Sequence, residues 1–430
     1  MRFTAAFSVL VLYTAALAQS PPKLSSPLKP KPVTVPFTLD HDRIIVEVNV
    51  ALSNRTTQHV HAWLDNGNPD LHLSHRLALL TGRTTISCDG QLCSTTPPVE
   101  MSIGGMSIPL GGRIPGAGIK EAWVSSIDNA PLAPGMSAEI NIPSTVLSHY
   151  DVLIDFPGRE LTIGQPGTLK FKGVTAKVIV NPANGLIEVP GKIENKKYSL
   201  ALDLGQSISL LTEELVDKLA TAHPDWPRMT GAIGPANVSG SADELKRKLM
   251  RVDRLQYGPL FLTNVVVAEF LSGQPVPFAG RPGGPSNGLL GSEALLNYRV
   301  GIDYAHSTVY FDIGRLFDVP DFDVVGLILR PENDGQFTIL GVADYEGKPS
   351  VPEGNDGVQA GDHLIAVDGI PVRGSTLGQV WAMLAGSPGT KRMLTVERAG
   401  GQVTVGAQVQ HFLGDAPLES QTKKRSKKKN

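Results

Sequence analysis

The sequence predicts a mainly β protein, with two pseudo-symmetric lobes in one chain and a small third domain after them. Three observations predict it. The 430 residues carry 45 glycines and 33 prolines but only 6% aromatics, a mix that favours strands and turns over long helices. The chain also matches itself. "HYDVLIDFPGRELTIG" (149–164) aligns with "NYRVGIDYAHSTVYFDIG" (297–314), placing Tyr150 opposite Tyr298 and Asp155 opposite Asp303, each 148 residues apart. Upstream, "HAWLDNGNPDLHLS" aligns with "SLALDLGQSISLLT", placing Asp65 opposite Asp203, 138 residues apart. Beyond the second copy, two alternating strands flank one amphipathic helix near 376–385. The length suits about three domains.

Taken in order, residues 1–18 form an expected secretory signal. Arg2 precedes the apolar run "AAFSVLVLYTAALA", which ends in the small-residue pattern Ala16-Leu17-Ala18. A membrane anchor is the other reading, and the run is short for a ~20-residue span. The mature chain is therefore expected to be exported, periplasmic or extracellular, with no further membrane span. Residues 19–33 are a Pro-rich linker. Lobe one is placed at 34–166, lobe two at 167–317 and the third domain at 322–412. Residues 413–430 form a basic tail, either solvated or held to an acidic envelope surface. The formal net charge of −2 gives no reason to expect nucleic acid as a partner.

Each lobe reads the same way. An alternating strand and a turn lead into an apolar strand that ends in Asp-x-Gly. A helix start follows at Ser74 and at Thr212, both residue types that accept from the first free N–H groups of a helix. Cys88 and Cys93, in "CDGQLC", are expected to bond to each other in an exported chain; a free thiol is the alternative.

Asp-x-Gly alone is weak, and Asp312-Ile313-Gly314 reads as a strand end. Its duplication is the stronger signal. Two strands that each deliver an Asp to a sharp Gly turn can bring two carboxylates face to face. Close carboxylates cannot both ionise cheaply, so they hold one proton between them. The charged one can take a proton from water while the neutral one donates to a carbonyl oxygen. Such a pair hydrolyses an amide without a metal or other cofactor.

On these residues the chain from 34 to 316 resembles a bacterial retropepsin-like aspartic peptidase with both lobes in one chain. "ALDLGQS" resembles the family's "LDTGAS", and "NGLLGSEALLNYRVGIDY" its closing motif. Residues 322–412 resemble a PDZ domain, most clearly in "AGDHLIAVDGIPV". The resemblance implies a pepsin/retropepsin-like acid-protease fold. It implies an endopeptidase with Asp65 and Asp203 catalytic, and active-site loops built from Asn66, Gly67, Leu204, Gly205, Ser207, Leu290 and Gly291. It also implies a peptide or protein substrate, docked on a PDZ carboxylate loop at Gly326, Leu327 and Ile328; the alternative is that this unit only packs against lobe two. The departures are specific. The family has Thr or Ser where this chain has Asn66 and Leu204; Asn can still donate a hydrogen bond and Leu cannot. Asn141-Ile142-Pro143, the lobe-one counterpart of Leu289-Leu290-Gly291, lacks the Gly. A second reading is therefore a catalytically impaired peptide-binding protein of the envelope with the same fold.

Four histidines, His59, His61, His72 and His75, surround Asp65 in sequence. His59 and His61 share one strand face. The "HVH" and "HLSH" spacings match no metal-based mechanism, so no metal site is expected, with zinc on these residues as the minority view.

Overall fold

The computed structural model describes residues 31–82, 86–88, 91–94, 100–110, 122–126, 131–270, 286–314, 321–399 and 401–416. The expected signal, most of the linker and most of the tail lie outside them. So do the side chains of Cys88 and Cys93, although their backbone strands, Ile86–Cys88 and Gln91–Ser94, pair antiparallel. No described helix is long and apolar enough to cross a membrane.

The chain is mainly β and two-lobed, as expected. Six strands join the lobes in one sheet. Their order is Val174–Lys177, Thr308–Ile313, Tyr298–Asp303, Asp151–Asp155, Glu160–Gly164 and Val33–Asp40. At its centre the two copies of the repeat pair antiparallel. Asp151 faces Asp303, Leu153 faces Gly301 and Asp155 faces Arg299. Leu153 and Gly301 are themselves 148 residues apart, so the repeat's two-fold axis passes through that pair, and the flanking pairs are reciprocal, as a two-fold interface requires.

Each lobe then repeats one topology. Thr57–Asp65 runs parallel to Ile140–Pro143, which pairs antiparallel with Leu71–Leu73. In lobe two, Lys196–Leu202 runs parallel to Gly288–Leu290, which pairs antiparallel with Ser209–Leu211. Leu71–Leu73 and Ser209–Leu211 each take one more parallel neighbour, Ala122–Val124 and Leu260–Glu269. Helices begin at the expected caps. Ser74 accepts from the Leu77 N–H at the start of His75–Leu80, and Thr212 precedes Glu213–Ala222 without a side-chain cap bond.

The third domain is a sheet in the order Leu327–Pro331, Phe337–Val342, His363–Val367, Lys391–Arg398 and Gly401–Gln408. Its helix, Leu377–Leu384, opens on a capping box between Thr376 and Gln379. Leu377, Val380, Trp381 and Leu384 are buried, a helical stripe of one face. That stripe joins a core shared with lobe two, where Ile208, Leu210, Ile233 and Leu289 pack in the same cluster. The ordered chain also runs past the expected end of this domain. Leu413 and Ala416, placed in the tail by sequence, are buried, and the Asn264 amide donates to Asp415 Oδ1 at 2.9 Å.

Candidate active site

The parallel strand pairs deliver the two acids. Asp65 ends its strand in register with Pro143. Asp203 follows its strand and donates its N–H to the Leu290 carbonyl at 3.1 Å. The two loops interlock. A Cβ built on Gly67 would lie 2.0 Å from Asp203 Cγ, and one on Gly205 would lie 2.5 Å from Asp65 Oδ1. Each glycine therefore makes room for the other lobe's carboxylate, which any side chain would displace.

Asn66 fastens one loop to the other. It is fully buried, its amide donates to the Leu202 carbonyl at 2.8 Å, and its Oδ1 accepts the Leu204 N–H at 2.7 Å. Leu204, also fully buried, packs in the core and returns no side-chain bond. The clasp is one-sided, as the residue types foretold. Trp63 adds a second link, donating from Nε1 to the Gly205 carbonyl at 3.1 Å. Ser207, at the motif's serine position, donates instead to the His41 carbonyl. His41 lies in the 40–42 turn between the first two strands, where His41 and Asp42 both have φ of 57°. Ser292, just past Gly291, donates to the Asp42 carbonyl.

The missing lobe-one glycine has a physical account. In lobe two the Gly291 N–H donates to Ser209 Oγ at 3.1 Å, and a Cβ on Gly291 would lie 2.5 Å from the Ile208 carbonyl carbon. The lobe-one equivalents are Pro143 and Leu71. Proline has no N–H and leucine no acceptor, so donor and acceptor are absent together and nothing is left unpaired. Asn141 occupies the adjoining position. Its amide donates to Asp65 Oδ2 at 3.2 Å and to the Asp70 carbonyl at 2.9 Å, and it accepts the His72 N–H at 2.7 Å.

These surroundings divide the acids. Asp65 is buried at 3% exposure. Its burial and the Asp203 charge push its pKa up to about 8, against the Asn141 and Asn68 side chains and the Arg43 charge. Asp203 is half-buried. Burial pushes it up to about 6, against N–H bonds from Gly205 and Gln206 to its Oδ1, both 3.0 Å. Both acids are pushed up, so near neutrality the pair holds one proton between them.

Other expectations fare differently. His59 and His61 are exposed, and His59 Nε2 lies 3.3 Å from Glu47. Burial lowers the pKa of His72. Among the described residues no three His, Cys, Asp or Glu side chains gather as a metal site. The expected docking loop is not open. Gly326, Leu327 and Ile328 are buried, and the edge of Leu327–Pro331 that no strand covers is met by Asn237 of lobe two. Sequence reasoning missed Trp63, Asn141, Asn237 and the 40–42 turn. Asn141 carried one readable signal, a polar residue where the duplicate has Leu289.

Comparison with known proteins gives two findings. Residues 355–398 match the PDZ-domain family. Among solved structures, an aspartic proteinase from Irpex lacteus is similar at 13% identity and a TM-score of 0.41, over 66% of this chain and 97% of that chain. No curated protein matches the chain. The two-lobed arrangement thus stands on the strand pairing described above, and the third domain contains a PDZ domain at 355–398.

Proposed function

We propose that the chain is an exported aspartic endopeptidase that hydrolyses peptide bonds with Asp65 and Asp203 and an activated water. The observation that carries this reading is the interlock of the two loops: each acid sits against the other lobe's glycine, where burial pushes both acids up. Asp203, charged and more exposed, takes a proton from water as it attacks the scissile carbonyl. Asp65, protonated, donates to the carbonyl oxygen, and the proton inventory returns when the amine leaves. Export is supported by Arg2 and the apolar run that follows it.

A second reading, a peptide-binding relic without turnover, draws on the apolar Leu204 at the clasp. Single substitutions separate the two. Asp65→Asn and Asp203→Asn each remove one proton role that the other acid cannot fill. Each is expected to abolish cleavage of an unfolded protein substrate while leaving the melting temperature close to wild type. Turnover that persists in either variant contradicts the dyad; a wild type that binds peptides without cleaving them supports the relic.

A further inference from the structure

A PDZ domain binds an extended peptide along the open edge of one strand, opposite a helix. Here that place lies between Leu327–Pro331 and Leu377–Leu384, and a segment of lobe two fills it. Asn237 is fully buried there. Its side-chain amide donates to the Leu329 carbonyl at 2.9 Å and accepts the Leu329 N–H at 3.2 Å. One primary amide thus satisfies both backbone groups of an edge residue, as the backbone of an added strand would. The helix side is met as well, since Trp381 Nε1 lies 3.3 Å from Asn237 Oδ1. Gly240 closes the contact: a Cβ on it would lie 2.3 Å from Arg330 Cα. The segment is held in shape by Glu244, fully buried, which accepts from Asn237 Nδ2 and from the N–H groups of Val238, Ser239 and Gly240.

The same contacts reach the dyad through the 40–42 turn. The buried His41 ring lies beside the backbone of Asn237. The groove helix touches the turn directly. Thr376 Oγ1 donates to Asp40 Oδ1 at 2.7 Å, and a Cβ on Gly378 would lie 2.3 Å from the His41 nitrogen. On its far side the turn accepts the hydroxyls of Ser207 and Ser292, which flank the Asp203 loop and Gly291.

We infer that the PDZ groove is occupied in cis by the 236–240 segment of lobe two, and that this occupation clamps the Asp203 loop through the 40–42 turn. The PDZ domain acts as an internal brace for the dyad. Any extended peptide adding to Leu327–Pro331 must first displace Asn237. Asn237 and His41 are positioning residues. Only the importance of the Asp203 loop rests on the proposed peptidase function; the clamp itself is read without turnover.

The test is hydrogen–deuterium exchange on the full chain, for wild type, Asn237→Ala and Gly240→Val. Three separate segments should exchange faster in both variants, by about tenfold or more, as local opening replaces a bonded state: 327–331, 39–43 and 203–209. The central interlobe strand Tyr298–Asp303 should keep its wild-type rate. Acceleration confined to 231–247, or to 327–331 without the turn and the Asp203 loop, overturns the clamp. Wild type alone supplies a second measurement that does not depend on the variants folding. Under mild denaturant, 236–240, 327–331 and 203–209 should open in one step; separate openings contradict the inference. Because exchange is read, an inert wild type would leave this result standing and count only against the peptidase.

Discussion

At the residue scale the site depends on a few polar side chains that each do two things. Asn66 is the clearest. Removing its amide strands the Leu202 carbonyl and the Leu204 N–H in a buried place, at about 1–3 kcal/mol per orphaned group. Asn66→Ala should therefore lower the melting temperature by several degrees and cut turnover further than the stability loss explains. An activity ratio that stays at wild type in folded Asn66→Ala would remove Asn66 from the clasp. The two acids and their glycines were legible in sequence because Asp-x-Gly occurs twice in matching context. The one-sided clasp was half legible, since residue type alone says that Asn can bond and Leu cannot. Trp63, His41 and Asn237 were not legible. Their partners lie far along the chain, Gly205 being 142 residues from Trp63, and no local period encodes such contacts.

At the element scale, duplication made the strand order readable. The offset of 148 places the two-fold axis between Asp151–Asp155 and Tyr298–Asp303, and the reciprocal register follows. The helix starts were readable too, from Ser74 and Thr212. The loss of the lobe-one glycine read as erosion, but it is a matched change. Pro143 and Leu71 give up one hydrogen bond from both ends, and Asn141 adds others. Its donation to Asp65 favours the charged acid and holds the pKa down. In Asn141→Leu that restraint is gone, so the Asp65 titration should move to higher pH. The orphaned His72 N–H should cost about 1–3 kcal/mol of stability. An Asp65 titration that stays put or falls in this variant would show that the contact does not tune the acid.

At the scale of the whole molecule, two lobes and a PDZ domain share one buried seam. The 40–42 turn, the Asp203 loop, the 236–240 segment and the groove helix meet there. The PDZ-like sequence was legible and packing against lobe two was one of its readings, but occupation of the groove was not, because it depends on a loop of lobe two with no motif of its own. The seam is rich in buried and half-buried acids. Burial raises Asp42 and Asp203 to about 6 and Asp65 and Glu293 to about 8. Each binds its proton more tightly folded than unfolded, so each contributes stability at low pH that is lost as pH rises through its folded value. His41 acts oppositely, lowered to about 3 by burial and the Arg43 charge, and it favours the folded state as pH climbs to 6.5. Burial lowers His72 and His149 in the same sense as His41, and the four acids outweigh the three histidines. The melting temperature should therefore fall between about pH 5 and pH 8; a rise across that window contradicts the burial of these carboxyls.

Asp65 and Asp203, brought together from two lobes, form a pair that shares one proton near neutrality. Carbon-13 NMR titration of the two side-chain carboxyls in the full-length wild type tests it most directly. Two steps are expected for the pair, near pH 6 and near pH 8, with both carboxyl signals responding to each step. Two independent titrations close to the ordinary Asp value of about 3.9 would mean that the carboxylates neither meet nor share a proton, and the dyad would be lost.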